Sequence, residues 1–360
     1  MSNHRVLISS PSLNVNDNVS GISTLVSDII STSRFEFIHF RLGSKDSEKK
    51  DIFWVGRQMM IYYNAIYCSV FKEFRILHLN LGLEKLSIVR DYFIFLIFKK
   101  IFHKKLLLHI HGGYYLMNPP SGRLFSFLLK ALFKNADAII VLSSLEQKIL
   151  SNRYGIRNFH VLPNAVKVTQ PRSSLIPETH EKQKLVFMGR INKSKGVYVI
   201  SEAFKYLTDY FHKFSFEIYG AGPEKEELNK CLSSYKGLNF SFKGIVGGDD
   251  KWNVLRDADI FLLPSLHGEG MPVAVLEAMS VGCVVIVTDD ASITTVVKNN
   301  ENGIVIPKND PLELAFKIIK IIEGEIDSSS MGTNARKYIS DNLSISNYIQ
   351  SLEDLYTTLD

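Results

Sequence analysis

The chain has 360 residues, 46% of them hydrophobic and 22% charged, with a formal net charge of +5 and three cysteines, Cys68, Cys231 and Cys283. That composition excludes a disordered, collagen-like or disulfide-stapled chain, leaves room for two cores, and gives the cysteines no paired spacing for a disulfide framework or a zinc site, which fits a reducing cytoplasm. Charge is polarised: residues 1–170 hold 22 Lys or Arg against 11 Asp or Glu, a net of +11, whereas residues 171–360 hold 20 against 26, a net of −6. A basic first half predicts an anionic partner surface, either membrane or nucleic acid.

The opening MSNHRVLISS enters an apolar strand at 5–10 without the long apolar core of a signal peptide, so no export is expected. Ser20-Gly21 then precedes a helical GISTLVSDII, where a residue as small as Gly21 lets a phosphate approach a helix start, although such a pair also serves simply as a cap. Strands follow at 35–40 and 75–80. The stretch 84–105, EKLSIVRDYFIFLIFKKIFHKK, combines an aromatic run with Lys99, Lys100, Lys104 and Lys105, and reads equally as a crossover helix on the sheet or as a patch for anionic lipid. Its longest apolar run, 92–98, is far short of the ~20 residues that span a bilayer.

The strand 105–111 ends in His111, followed by Gly112-Gly113, which places an imidazole at a strand's carboxyl end, where α/β sheets meet ligands. His109, on the same strand face, reads as a core histidine. Strands at 138–142 and 159–163 close the first half, and the proline- and hydroxyl-rich 171–183 reads as a linker. Six more strands follow, at 184–189, 214–220, 238–244, 259–264, 283–288 and 303–307, alternating with helices. The pattern predicts two doubly wound parallel sheets facing across a cleft.

After the strand 184–189 comes FMGRINKSKG, whose Arg190 and Lys195 join glycine backbone at a helix start, a combination that suits a diphosphate. After 259–264 comes PSLHGEGMPVAVLEAMSVGC, with Glu269 in a loop and Glu277 eight positions on. A helix starting near Met271 puts Glu277 inside it and Glu269 before its first turn, so the two carboxylates reach different parts of one elongated ligand. Gly268 and Gly270 allow close backbone approach, and Pro272 suits the first turn. The acidic pairs Asp249-Asp250, Asp257/Asp259 and Asp289-Asp290 read as a cap and turn residues rather than metal ligands, and no P-loop, catalytic triad or metalloprotease motif appears.

Taken together, FMGRINKSKGVYVISEAF, FEIYGAGPEKEEL, the paired-glutamate segment, VLPNAV (161–166) and, more weakly, HIHGG and Ser20-Gly21 resemble glycosyltransferase family 4, retaining enzymes of the GT-B fold. The resemblance implies an acceptor domain over 1–170, a donor domain over 184–340, and a C-terminal helix over 341–360 that packs back on the first. It implies that Arg190 and Lys195 hold a diphosphate, with Gly21 beside it, that Glu277 holds ribose and Glu269 the donor sugar, and that Gly244 and Ile245 lie under the base. His111 is implied beside donor sugar and acceptor, with Gly270, Met271 and Pro272 completing the donor loop. Two departures stand out: Asp289 to Thr295 replace the family's Gly-Gly-x-Pro-Glu stretch, so that Thr295 stands where a glutamate is usual, and Pro-Asn-Ala replaces Pro-Asn-Gly.

The expected reaction moves a hexose or N-acetylhexosamine from a nucleotide diphosphate sugar, a UDP-sugar by preference, to a hydroxyl of a lipid-linked saccharide in O-antigen, capsule or exopolysaccharide synthesis. The two cations stabilise the departing diphosphate, so no metal or other cofactor is expected. Glu269 as a covalent nucleophile is a less favoured mechanism. A sugar-nucleotide epimerase and a non-catalytic nucleotide-sugar binder are the alternatives. The expected location is cytoplasmic, peripheral on the anionic inner face of a bacterial membrane, with no nucleic-acid partner because no stacking aromatics interleave the basic residues.

Overall fold

A computed structural model of the chain describes residues 5–14, 17, 20–43, 52–120, 122–171, 182–290 and 292–360. Most of the expected linker, 171–183, lies outside these residues. Twelve strands form, each bounded within two residues of its expected place: β1 (Arg5–Ser10), β2 (Glu36–Arg41), β3 (Ile76–Leu81), β4 (Lys105–Ile110), β5 (Ala138–Val141), β6 (Phe159–Val161), β7 (Gln183–Met188), β8 (Phe214–Tyr219), β9 (Phe240–Gly244), β10 (Ile260–Leu263), β11 (Val284–Thr288) and β12 (Ile304–Ile306). They make two six-stranded sheets, in the orders β2-β1-β3-β4-β5-β6 and β12-β11-β10-β7-β8-β9, and every pair is parallel. Runs such as Val6-Leu7-Ile8 and Val284 to Val287 are buried throughout, as expected of strands with helices on both faces. In each sheet the strand order reverses once, at β1/β3 and at β7/β10, and ligands meet open α/β sheets beyond the carboxyl ends of strands at such a reversal.

The chain divides into two compact units, one made of Met1–Asn164 with Ser346–Asp360 and the other of Ala165–Ile345. The division falls six residues before the expected end of the first domain at 170, because Val166 is tied to the far end of the second unit. Its N–H donates to Leu343 O and its carbonyl accepts from Ile345 N, each at 3.0 Å. The terminal helix, Ile345–Leu359, belongs to the first unit. There Tyr356 is fully buried with its hydroxyl 2.6 Å from His78 Nδ1, while the Glu353 carboxylate accepts from Ser33 Oγ and Arg34 N, both at 2.7 Å.

Two local expectations are corrected. The paired-glutamate helix runs Val273–Val281 with Pro272 as its cap (φ −64°, ψ 118°), so it starts two residues after Met271. A proline in extended conformation ends the loop, and the helix can only begin after it. Asp249 is not a cap either: the helix Gly248–Asp257 is preceded by Gly247, which puts Asp249 and Asp250 in its first turn.

The stretch 84–105 serves the fold. It forms the helix Lys85–Phe95 and a π-helical turn Leu96–Ile101, burying Ile88, Ile94, Phe95 and Phe98. The four lysines of its second half are engaged inside the unit: Lys99 and Lys105 pair with Asp137, Lys100 Nζ donates to Asn135 Oδ1 at 2.6 Å, and Lys104 Nζ donates to Phe74 O at 3.0 Å.

Candidate functional site

The second unit assembles most of the candidate residues at the β7/β10 reversal. Beyond β7 the chain passes Gly189 and the exposed Arg190, then makes a short turn, Lys193–Lys195, capped by the Asn192 side chain. Gly196 follows with φ +72°, where a Cβ would stand 1.9 Å from Pro264 O, so only glycine lets this turn seat against the end of β10. Leu266 N donates to Ser194 O at 2.7 Å and fastens the two loops together. The result is an ion pair between Lys195 Nζ and the Glu269 carboxylate. Glu269 is 7% exposed, accepts a second hydrogen bond from Ser265 Oγ at 2.8 Å, and has its own N–H held by Asp290 Oδ2 at 3.0 Å. Asp290 is in turn paired with Lys308.

Glu277 lies five residues into the helix Val273–Val281 and reaches a different cation, Lys251 Nζ, at 2.5 Å. Both partners are largely buried, their side chains 4% and 12% exposed. Gly270 and Met271 are buried between the two glutamates, and the first amides of the helix have no acceptor within it. Gly244 ends β9 with φ +75°, and Ile245 beyond it is 43% exposed. The structure therefore joins Lys195 to Glu269 and pairs Glu277 with Lys251.

Sequence reasoning missed Lys251, Ser265, Asp290 and Lys308. Asp290 had been noted only as half of an acidic pair. Ser265 lies in the quoted loop, four residues before Glu269, whereas Lys251, Asp290 and Lys308 carry no local signal because each meets its partner from a separate element.

The first unit holds the other two candidates. Gly21 opens the helix Gly21–Thr32, where the Ser20 side chain accepts from Ser23 N and acts as the cap. His111, half-buried past the end of β4, brings Nε2 to 2.6 Å from Asn80 Oδ1, and its ring stacks against His109 at 3.9 Å between centroids. Gly113, at φ +111°, tucks this turn against Leu83, where a Cβ would stand 2.6 Å from Leu83 N. Burial pushes the His111 imidazole down to about 3 and does the same to His78, while His109 is also held well below the usual range, so all three are neutral at pH 7.

The acidic pairs serve the fold: Asp257 pairs with Lys184, Asp259 accepts Lys184 N at 2.7 Å, and among the described residues no group of three or more His, Cys, Asp or Glu could hold a metal ion. Among those residues no helix is long and apolar enough to cross a membrane. The helix Ile52–Phe71 does leave an apolar stripe uncovered, with Met59, Tyr63, Ile66 and Val70 recurring at the helical period and Tyr67 and Phe71 beside them, each more than two-fifths exposed.

Two family models match the chain: glycosyltransferase family 4 over residues 74–170 and glycosyl transferases group 1 over residues 170–338. An uncharacterized glycosyltransferase of Methanocaldococcus jannaschii is 27% identical over 73% of this chain and 71% of its own length. The amylovoran biosynthesis glycosyltransferase AmsK of Erwinia amylovora is 27% identical over 54% of this chain and 50% of its own length. A UDP-Gal:alpha-D-GlcNAc-diphosphoundecaprenol alpha-1,3-galactosyltransferase of Escherichia coli is 30% identical over 47% of this chain and 43% of its own length. The chain thus spans about half the length, or less, of the latter two. Among solved structures, Anabaena Alr3699/HepE in complex with UDP-glucose superposes with a TM-score of 0.78 at 15% identity, covering 99% of this chain and all of the other, a likeness of fold.

Proposed function

The chain belongs to glycosyltransferase family 4, with the two Rossmann-like parallel-sheet units of the GT-B fold, and we propose that it is a retaining glycosyltransferase using a UDP-sugar. The observation that carries this reading is the Lys195–Glu269 pair at the β7/β10 reversal, with Glu277 held separately on Lys251. A cation and an anion side by side suit a ligand whose phosphate adjoins a hydroxyl-bearing sugar, and a second carboxylate suits the ribose diol further along. Lys195 and Arg190 stabilise the charge that grows on the departing diphosphate, the step in which preorganised cations count most. Glu269 accepts from donor-sugar hydroxyls, Glu277 from ribose, and backbone at Gly244 and Ile245 receives the base. Gly270, Met271 and Pro272 shape the loop, and free amides of the helix start face the phosphates.

For Gly21 and His111, in the first unit, the family resemblance alone supports contact with the diphosphate and with the sugar. The leaving phosphate takes the proton of the attacking hydroxyl on the face it departs from, which retains configuration without a metal. The names of relatives acting in amylovoran biosynthesis or on a diphosphoundecaprenol-linked sugar support a hexosyl or N-acetylhexosaminyl transfer to a lipid-linked saccharide. The apolar stripe of Ile52–Phe71, on the unit that carries the net positive charge, supports peripheral attachment to an anionic bilayer at the cytoplasmic face.

The test is a panel of UDP-glucose, UDP-galactose and UDP-N-acetylglucosamine incubated with purified protein, with and without undecaprenyl-diphosphate sugar acceptors. One donor should release UDP and label an acceptor with the anomeric configuration kept, and Arg190→Ala with Lys195→Ala should abolish it. Conversion of free donor to an epimer, or binding without UDP release, would overturn the reading.

A further inference from the structure

Ser9, at the end of β1, and Asn80, on the neighbouring β3, are both buried and doubly joined. Asn80 N donates to Ser9 Oγ at 2.9 Å, and Asn80 Nδ2 donates to Ser9 O at 2.5 Å. The second bond fixes which way round the amide sits, because reversing it would press two acceptors, Oδ1 and Ser9 O, together. With the amino end on Ser9, the carbonyl end is the atom left for His111, and it lies 2.6 Å from Nε2. A carbonyl oxygen can only accept. His111 must therefore carry its proton on Nε2, which makes Nδ1 the lone-pair nitrogen of a neutral ring.

The surroundings preserve that state. Asn80 hydrogen-bonds the His111 ring and His109 packs against it, with His78 and the Tyr356 hydroxyl behind His109 in a buried line. No carboxylate stands in that line to favour an imidazolium, and burial keeps the ring neutral down to about 3.

We propose that Asn80 is a positioning residue, which through its double hold on Ser9 locks His111 as the Nε2–H tautomer and presents Nδ1 as an acceptor for a hydroxyl of the bound sugar. The assignment of an acceptor role rests on the proposed contact of His111 with substrate, whereas the tautomer rests only on the first unit. On this account His111 is a neutral hydrogen-bond acceptor throughout the physiological range, not a proton-transferring base.

The experiment is nitrogen-15 NMR of histidine-labelled full-length protein, together with pH–rate profiles on whichever UDP-sugar of the panel is turned over. Wild-type His111 should show the neutral Nε2–H pattern at pH 7 and no titration between about pH 5 and 8. A Nδ1–H pattern or an imidazolium would overturn the proposal with no variant needed. In Asn80→Asp a carboxylate replaces the amide, His111 should begin to titrate, and kcat should acquire an acid limb that falls about tenfold per pH unit below the new pKa. A folded Asn80→Asp protein with a wild-type profile would overturn the positioning role. If His111→Phe turns over normally while the tautomer stands as assigned, the substrate contact fails and the tautomer assignment survives.

Discussion

Removing the two partners of the Lys195–Glu269 pair should have unequal effects on stability. Lys195→Met strands a carboxylate that is 7% exposed and keeps only the Ser265 hydroxyl as a side-chain donor. Leaving a buried charge without its cation costs about 2–3 kcal/mol when one hydrogen bond remains. Glu269→Gln leaves a lysine whose side chain is 27% exposed and can turn to water, at a cost of about 1 kcal/mol or less. The double variant contains no stranded charge and should lie close to Glu269→Gln, giving a coupling of about 2 kcal/mol. Calorimetry on all four proteins reads this directly, since a unit of this size moves its Tm by about 2–4 °C per kcal/mol. All three variants should lose about 10²–10³ in kcat/KM with the active donor, because each removes a contact proposed for the reacting sugar diphosphate. Equal destabilisation by the two single changes, or a double variant as unstable as their sum, would refute the pairing.

Lys251→Met should be the most damaging of the lysine changes, because both it and Glu277 are nearly sealed from water; a loss of about 3–5 kcal/mol is expected by calorimetry, and Lys251→Met with Glu277→Leu should recover most of it. Acid stability should follow His78, His109 and His111. Each has a folded pKa below its unfolded value of 6.5, so the unfolded state binds more protons between the two values and stability falls as pH drops below 6.5. Every such group contributes a slope of about 1.4 kcal/mol per pH unit, and His78→Phe should flatten the acid limb of unfolding followed by circular dichroism. Attachment to vesicles of phosphatidylglycerol should be lost on changing Tyr63 and Phe71 to glutamate and kept on changing Lys99 and Lys100 to alanine; the reverse result would return the membrane surface to the stretch 84–105.

The strands and their order of use were legible because each is a short aliphatic run closed by a turn signal, and a run buried on both faces looks the same wherever it sits in the sheet. Helix ends were less so. Pro272 satisfies both the first helical position and the cap, and only its ψ of 118° separates the two. The lysines of 84–105 leave two readings open for a different reason: a charge run gives no sign of where its counter-ions lie, and Asp137, which takes two of them, arrives only beyond the following strand. Lys251, Asp290 and Asn80 were hidden in the same way, since each acts on a residue 26, 21 or 31 positions distant and none belongs to a motif.

What the second unit adds to the motif is a cation for each buried carboxylate: Lys195 for Glu269, Lys251 for Glu277 and Lys308 for Asp290. Between 171 and 360 the chain is acidic by −6, yet at the β7/β10 reversal these pairs cancel. That local neutrality decides how an anion can enter. A diphosphate approaching bare glutamates would be repelled, whereas one approaching paired glutamates meets Arg190, the amides of a helix start and a lysine that can exchange one anionic partner for another. Lys195, the most exposed of the two lysines paired with glutamate, is the one placed for that exchange, and Lys251, sealed on Glu277, is not. The two glutamates eight residues apart are therefore held to different degrees: on the proposed reading Glu269 is the one to be released to a sugar when its lysine turns to phosphate, and Glu277 the one to stay fixed for ribose.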